Sequence, residues 1–184
     1  MTAKIRDFNT SNIDSFLQTY EESFAKIGSS IQGLYGRKLF IALKRKHLNE
    51  GPYPGVTLFE AANRIMSDLV ILHGVRSLLT TRRFPFDEYR VELGHENNNA
   101  FDIMANNGTE KLVGEAFNVS DKFFSSKKNS ALKKIREKSV SADFKILMFN
   151  QEAVSNAYRP KLRENEFFVL VDTDRSASRI VTNN

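Results

Sequence analysis

Two carboxylates, Asp102 and Glu115, interrupt short apolar runs reading "FDIMA" and "VGEAF". A buried carboxylate without a partner is costly, so such a group is paired, hydrogen-bonded, protonated or bound to a cation. Two on neighbouring strands can share a hard divalent ion such as Mg²⁺, which takes few carboxylates and completes its shell with water. An ion held in this way can activate water and stabilise charge on a phosphoryl oxygen, as phosphodiester hydrolysis requires. The competing account is solvent: acids near strand ends often face the open side of a sheet, and "NNNAFD" sets Asp102 close to a turn.

Other chemistry has less to stand on. The chain has no cysteine, which removes disulfides, thiolate metal sites and a cysteine nucleophile together. His47, His73 and His95 lack ligand spacing, and no Ser/His/Asp grouping accompanies them. "GLYG" and "NNGTE" lack the lysine and the strand-to-helix context of a phosphate loop. Two further acids could complete a metal site. Glu60 has a capping-box role with Thr57 as its simpler account, and Glu92, on a predicted strand, a solvated position.

The elements that must position these groups follow from periodicity. "SNIDSFLQTYEESFAKIG" opens at Ser11 and Asp14 with capping-box spacing and carries Ile13, Phe16, Leu17, Tyr20, Phe24 and Ile27 at helical intervals up to Gly28. "LYGRKLFIALKRKHL" predicts a second helix, broken by "NEGPYPGV". Leu58, Ala62, Ile65, Leu69, Leu72 and Val75 predict a long helix from Thr57 to about Leu79. After "TTRRFPFDE" the period shortens, and "EYRVELG", "AFDIMAN" and "KLVGEAFNV" read as an antiparallel meander with turns at "HENNN" and "NNGTE". A helix over "SSKKNSALKKIREK" and two apolar strands, "ADFKILMFN" and "EFFVLVDT", follow, with a helix possible between the strands and a loose tail at "SASRIVTNN". The fold class is α/β, a mixed sheet flanked by helices. Residues 1–56 form an N-terminal helical extension packed on a core of residues 57–184, as one compact domain.

In these strands Asp102 shares a face with Met104, away from Phe101 and Ile103, and Glu115 lies on the more apolar face with Val113, Phe117 and Val119. The 184 residues are 41% hydrophobic and 27% charged, as in globular proteins, and no apolar run or leader pattern suggests a membrane span or export, so a soluble cytoplasmic chain is expected. The formal charge is +5. From Asp121 to Lys138 seven cations (Lys122, Lys127, Lys128, Lys133, Lys134, Arg136 and Lys138) face two acids, so this segment carries the whole excess. Beside the Glu115 strand it could form a phosphate track, a solvated helix face being the plain alternative. "GRKLFIALKRKH" and "TTRRF" add two more basic patches.

With its helix, three strands, helix and strand, and with Asp102 and Glu115 on the second and third strands, the segment from about 57 to 172 resembles the PD-(D/E)XK nucleases, which include many type II restriction endonucleases. The resemblance implies a Mg²⁺-dependent endonuclease acting on double-stranded DNA as a homodimer, with Asp102 and Glu115 as metal ligands. The family pattern has a lysine two residues after the glutamate; here that position is Phe117, and Phe101 stands where the pattern has proline. A substitute lysine would come from Lys127 or Lys128, with Lys122 and Lys145 as further candidates. A non-catalytic nucleic-acid-binding or protein-interaction module on the same sheet is the other reading that Phe117 permits.

Overall fold

A computed structural model describes residues 5–94, 99–139 and 141–182. Part of the "HENNN" turn, with His95, lies outside the described residues. Seven strands form one mixed sheet in chain order: β1 (Ile5–Asn9), β2 (Glu88–Glu92), β3 (Ile103–Asn106), β4 (Lys111–Phe117), β5 (Phe144–Asn150), β6 (Glu166–Asp172) and β7 (Ala177–Val181). Neighbours β1 to β4 are antiparallel, β4, β5 and β6 run parallel, and β7 returns antiparallel along β6. The expected α/β class with a mixed sheet is thus present.

The helices are α1 (Ile13–Ala25), α2 (Gly36–Arg45), α3 (Leu58–Thr81) and α4 (Asp121–Lys138). The long α3 begins as expected, with Thr57 Oγ1 accepting the Glu60 amide at 3.3 Å. Its Val70, Leu72, Val75 and Leu78 are fully buried against the face of the sheet that carries Ile103, Leu112, Ile146 and Met148. Gly74 makes this approach possible, because a Cβ there would collide with Met148 Sδ. On the other face α4 covers Phe117, Leu147, Phe149 and Leu170 with Phe124, Leu132 and Ile135. The β3–β4 hairpin turns at Gly108, φ +90°, and its asparagines bind backbone: Asn106 Oδ1 accepts from Gly108, and Asn107 Oδ1 from Thr109 and Glu110.

Several elements differ from the sequence reading. The tail from Ala177 is not loose: β7 pairs with β6 over five residues. The amino-terminal segment contributes a strand as well as helices, since β1 pairs with β2 and Arg90 holds Asp7 at 2.8 and 3.1 Å. Ser11 and Asp14 form no capping box. The helix starts after Asn12, whose Oδ1 accepts from Asn9, while Asp14 pairs with Arg76 at 2.6 Å. A short 3₁₀ turn, Lys26–Ile31, runs through Gly28 instead of stopping there. Helix α4 begins four residues before the expected Ser125, and only the 3₁₀ turn Gln151–Ala153 is helical between β5 and β6 among the described residues. No helix among them is long and apolar enough to cross a membrane.

Candidate functional site

Asp102 and Glu115 meet because β3 and β4 are hairpin partners. Ile103 faces Gly114, and one step further along the same register sets Asp102 opposite Glu115. β3 proper begins at Ile103, so Asp102 precedes the ladder, and its Oδ2 accepts the Ala116 N–H at 2.8 Å in place of a strand carbonyl. This early break also corrects the alternation expected for residue 101. Phe101 is buried in the same cluster as Phe117 and Met104, not on the opposite face.

Glu115 lies between Val113 and Phe117 on the face covered by α4, and only 8% of it is exposed. Lys134 of α4 reaches it: Nζ stands 2.6 Å from Oε1 and 5.9 Å from the centre of the Phe101 ring. The ion pair lacks the alignment of a hydrogen bond, so this buried oxygen has close charge compensation but no well-directed donor. Burial pushes the Glu115 carboxyl up, the neighbouring Asp102 pushes it further, and Lys134 pulls it back, leaving it at about 7. Around neutrality the group exchanges its proton.

The lysine that meets Glu115 is therefore neither Lys127 nor Lys128. Those residues lie seven and six positions earlier on α4, about 10 Å along the axis at 1.5 Å per residue. Lys127 is exposed, and Lys128 leans over the Phe124 ring at 5.7 Å. Lys122 is exposed at the helix start, Lys145 lies beside Val113 on β5, and Lys133 pairs with Glu137 at 3.8 Å. Arg136 is turned to Glu166, so the basic run is only partly free: Lys122, Lys127 and Lys138 make no ion pair among the described residues. Position 117 could not supply the ammonium. Phe117 is 1% exposed and stacks on Phe149 with 5.8 Å between ring centres, so a lysine there would point into hydrocarbon.

The expectation for Glu92 is overturned. It is buried, not solvated, and accepts the Asn99 amide at 2.5 Å. Its own N–H donates to Asp102 O at 2.9 Å, so Glu92, Asp102 and Glu115 occupy successive places across β2, β3 and β4. Glu60 keeps its capping position and pairs with Arg64 at 2.6 Å. His73 is a buried residue of α3, its imidazole held below the usual range mainly by burial.

By donor type Asp102 and Glu115 suit a hard divalent cation: two carboxylates on adjacent strands, one with a buried oxygen that no donor is aligned on. Among the described residues no group of three possible ligands gathers closely enough to hold one ion, so such a cation would take its remaining shell from water or substrate oxygen.

A second polar centre escaped the sequence reading. Asp68, 1% exposed, accepts from Tyr20 Oη at 2.6 Å, from Tyr53 Oη, and from the Gly94 amide at 2.9 Å. Burial and the Asp68 charge hold both tyrosines well above the usual phenol range, so they remain donors. The signal was present in the spacing, since Asp68 falls three residues after Ile65 and four before Leu72, on the apolar side of α3. Through these bonds α1, the α2–α3 connection and the end of β2 are fastened to α3 near the segment leading to Asp102. Searches of protein-family models, curated proteins and solved structures gave no significant match to this chain.

Proposed function

We propose that the chain is a Mg²⁺-dependent endonuclease of the PD-(D/E)XK type that hydrolyses DNA phosphodiester bonds, working as a homodimer. The observation that carries this reading is Lys134, whose ammonium meets Glu115 at 2.6 Å beside Asp102, so that a lysine from α4 stands in for the one that Phe117 displaces. The order α3, β2, β3, β4, α4, β5, with the two acids on the middle hairpin, supports the same assignment.

Asp102 and Glu115 would hold the cation, which when bound supplies Lewis acidity towards a phosphoryl oxygen and lowers the pKa of water. Glu115 must be ionised to serve, and with its carboxyl at about 7 a proton competes with the cation for it below neutrality. Lys134 favours the ionised form and can orient a water by donating a hydrogen bond to it. Phe101 and Phe117 are buried beside the pair, and the low dielectric they create strengthens the attraction of Lys134 for ionised Glu115. Exposed Lys122, Lys127 and Lys138 on α4 offer cations to the phosphate backbone.

A plasmid-nicking assay with Mg²⁺ tests the proposal. Wild type should convert supercoiled plasmid, whereas Asp102→Ala, Glu115→Gln and Lys134→Ala should each lose activity, Lys127→Ala and Lys128→Ala much less. DNA binding without cutting under several divalent metals would reject the enzyme in favour of a non-catalytic binding module. Cutting that survived the first two substitutions would reject the site.

A further inference from the structure

Large apolar side chains scattered singly over a surface need no explanation, but a cluster does. Six are exposed among the described residues, and four of them, Tyr35 just before α2, Phe40 and Ile41 on it and Phe59 in the first turn of α3, fall in this part of the chain. On α2, Phe40 and Ile41 lie three and four residues after Arg37 and four and three before Lys44, so cations and apolar groups share a single stripe. Lys44 Nζ continues it onto α3, 3.7 Å from the centre of the Phe59 ring. The opposite side of the helix, with Leu43, packs on the core. Between positions 33 and 49 there is no acidic residue, against five cations.

We infer that this stripe is a platform for single-stranded nucleic acid, its phosphates lying against Arg37, Lys44 and Arg45 and its unpaired bases stacking on Tyr35, Phe40 and Phe59. A groove for duplex DNA needs cations alone; exposed rings interleaved with them suit bases that have left their stack, for which every base offers a face. A second copy would bring five cations against five. Insertion of Phe40 and Ile41 into a bilayer would carry Arg37 and Lys44 with them, whereas an interfacial helix separates its charged and apolar faces. The connection that follows α2 reaches the end of β2 nearest the acids. Tyr53, in the connection from α2 to α3, packs its ring on Gly94, two residues beyond Glu92, where a Cβ would come within 2.9 Å of the ring. The inference rests on the nuclease reading for one point only, that strands held here continue towards Asp102 and Glu115, and it makes the preferred substrate DNA with an unpaired segment.

Fluorescence anisotropy with labelled oligothymidylate and a blunt duplex of equal length, in EDTA, tests it on the full chain. Oligothymidylate should bind more tightly than the duplex. Tyr35→Ala and Phe40→Ala, both at exposed positions, should each weaken oligothymidylate binding roughly five- to 150-fold and leave duplex binding unchanged. Arg37→Ala should lower the dependence of log K on log salt by about 0.7. Equal affinity for the two probes, or no effect of the aromatic substitutions, would overturn the platform. So would co-sedimentation of wild type with phosphatidylserine vesicles in place of oligothymidylate binding, or a wild-type dimer that Phe40→Ala splits. Single-strand binding that follows these substitutions in a protein that never cuts DNA would leave the platform standing and sink the nuclease; cutting that needs Glu115 but ignores Tyr35 and Phe40 would do the reverse.

Discussion

Replacing Lys134 with methionine removes one charge while keeping most of the side chain's volume, so its effect isolates the ion pair. In wild type the Glu115 carboxyl sits at about 7, against an ordinary value of 4.5. Below neutrality it carries a proton, and Lys134 faces a neutral group. Above neutrality the pair is charged. Without Lys134 the remaining influences, burial first and Asp102 second, push the carboxyl higher still. As pH rises from 7 towards that new value, wild type gives up the proton and the variant retains it. The variant then loses stability relative to wild type at up to 1.4 kcal/mol per pH unit, roughly 2 kcal/mol by about pH 8.5, and nearer 1 because the lysine is partly exposed. Urea denaturation at about pH 5.5 and about pH 8.5 reads this directly: near-zero loss at the lower pH and about 1–2 kcal/mol at the higher, with the same slope in urea. An equal loss at both values, or a larger one at the acidic end, would refute the coupling. If the chain cuts DNA, residual nicking by the variant should have its acidic limb displaced to higher pH.

The reverse perturbation has the opposite sign. Glu115→Gln removes a carboxyl that folding holds above its unfolded value, a group whose cost grows as pH rises from 4.5 to 7 and is then constant. The variant should be more stable than wild type by about 1–3 kcal/mol above pH 7, with the gain fading towards pH 4.5 in the same urea titrations. Asp68→Ala leaves two tyrosine hydroxyls and the Gly94 amide without their acceptor, and should cost about 3–5 kcal/mol by thermal or urea unfolding, Tyr20→Phe only about 1 kcal/mol. Arg136→Ala removes the two-pronged partner of Glu166, which is 2% exposed, and leaves it the Arg163 amide at 3.1 Å; burial alone would raise that carboxyl, but Arg136 first and Arg163 second hold it below the usual range. Its stabilising contribution is present above pH 4.5 and lost as pH falls through the lowered value, so the substitution should cost about 3 kcal/mol at neutral pH and less in acid. Phe117→Lys, which places a lysine two residues after Glu115, should destabilise by about 3 kcal/mol or more and give no gain in nicking, as judged by unfolding and plasmid assays together.

Periodicity and turn chemistry were enough to place α3, the β3–β4 hairpin and the strands β5 and β6, because each of these is decided locally: apolar residues at three and four, alternation at two, asparagine and glycine at the turn. The same alternation put Glu115 on the apolar face, and pairing of adjacent strands then brought Asp102 to it. β7 and β1 were not legible, since "SASRIV" and "IRDFN" are edge strands whose few apolar residues become strand only when β6 and β2 offer a ladder. Glu92 looked like a surface acid for a similar reason: the partner that meets its carboxylate, the Asn99 amide, lies seven residues on and no local pattern announces it. Most decisive was the choice among lysines. Lys127 and Lys134 lie two turns apart on the same flank of α4 and are indistinguishable by sequence pattern. Which of them meets Glu115 depends on how far α4 is offset along β4, and that offset is fixed by Phe124, Leu132 and Ile135 packing on Phe117 and Phe149, and by Asn150 binding both backbone groups of Val119 in the connection. Local pattern could therefore specify that acids and a basic helix stand side by side; only packing across the sheet could decide which cation answers which carboxylate.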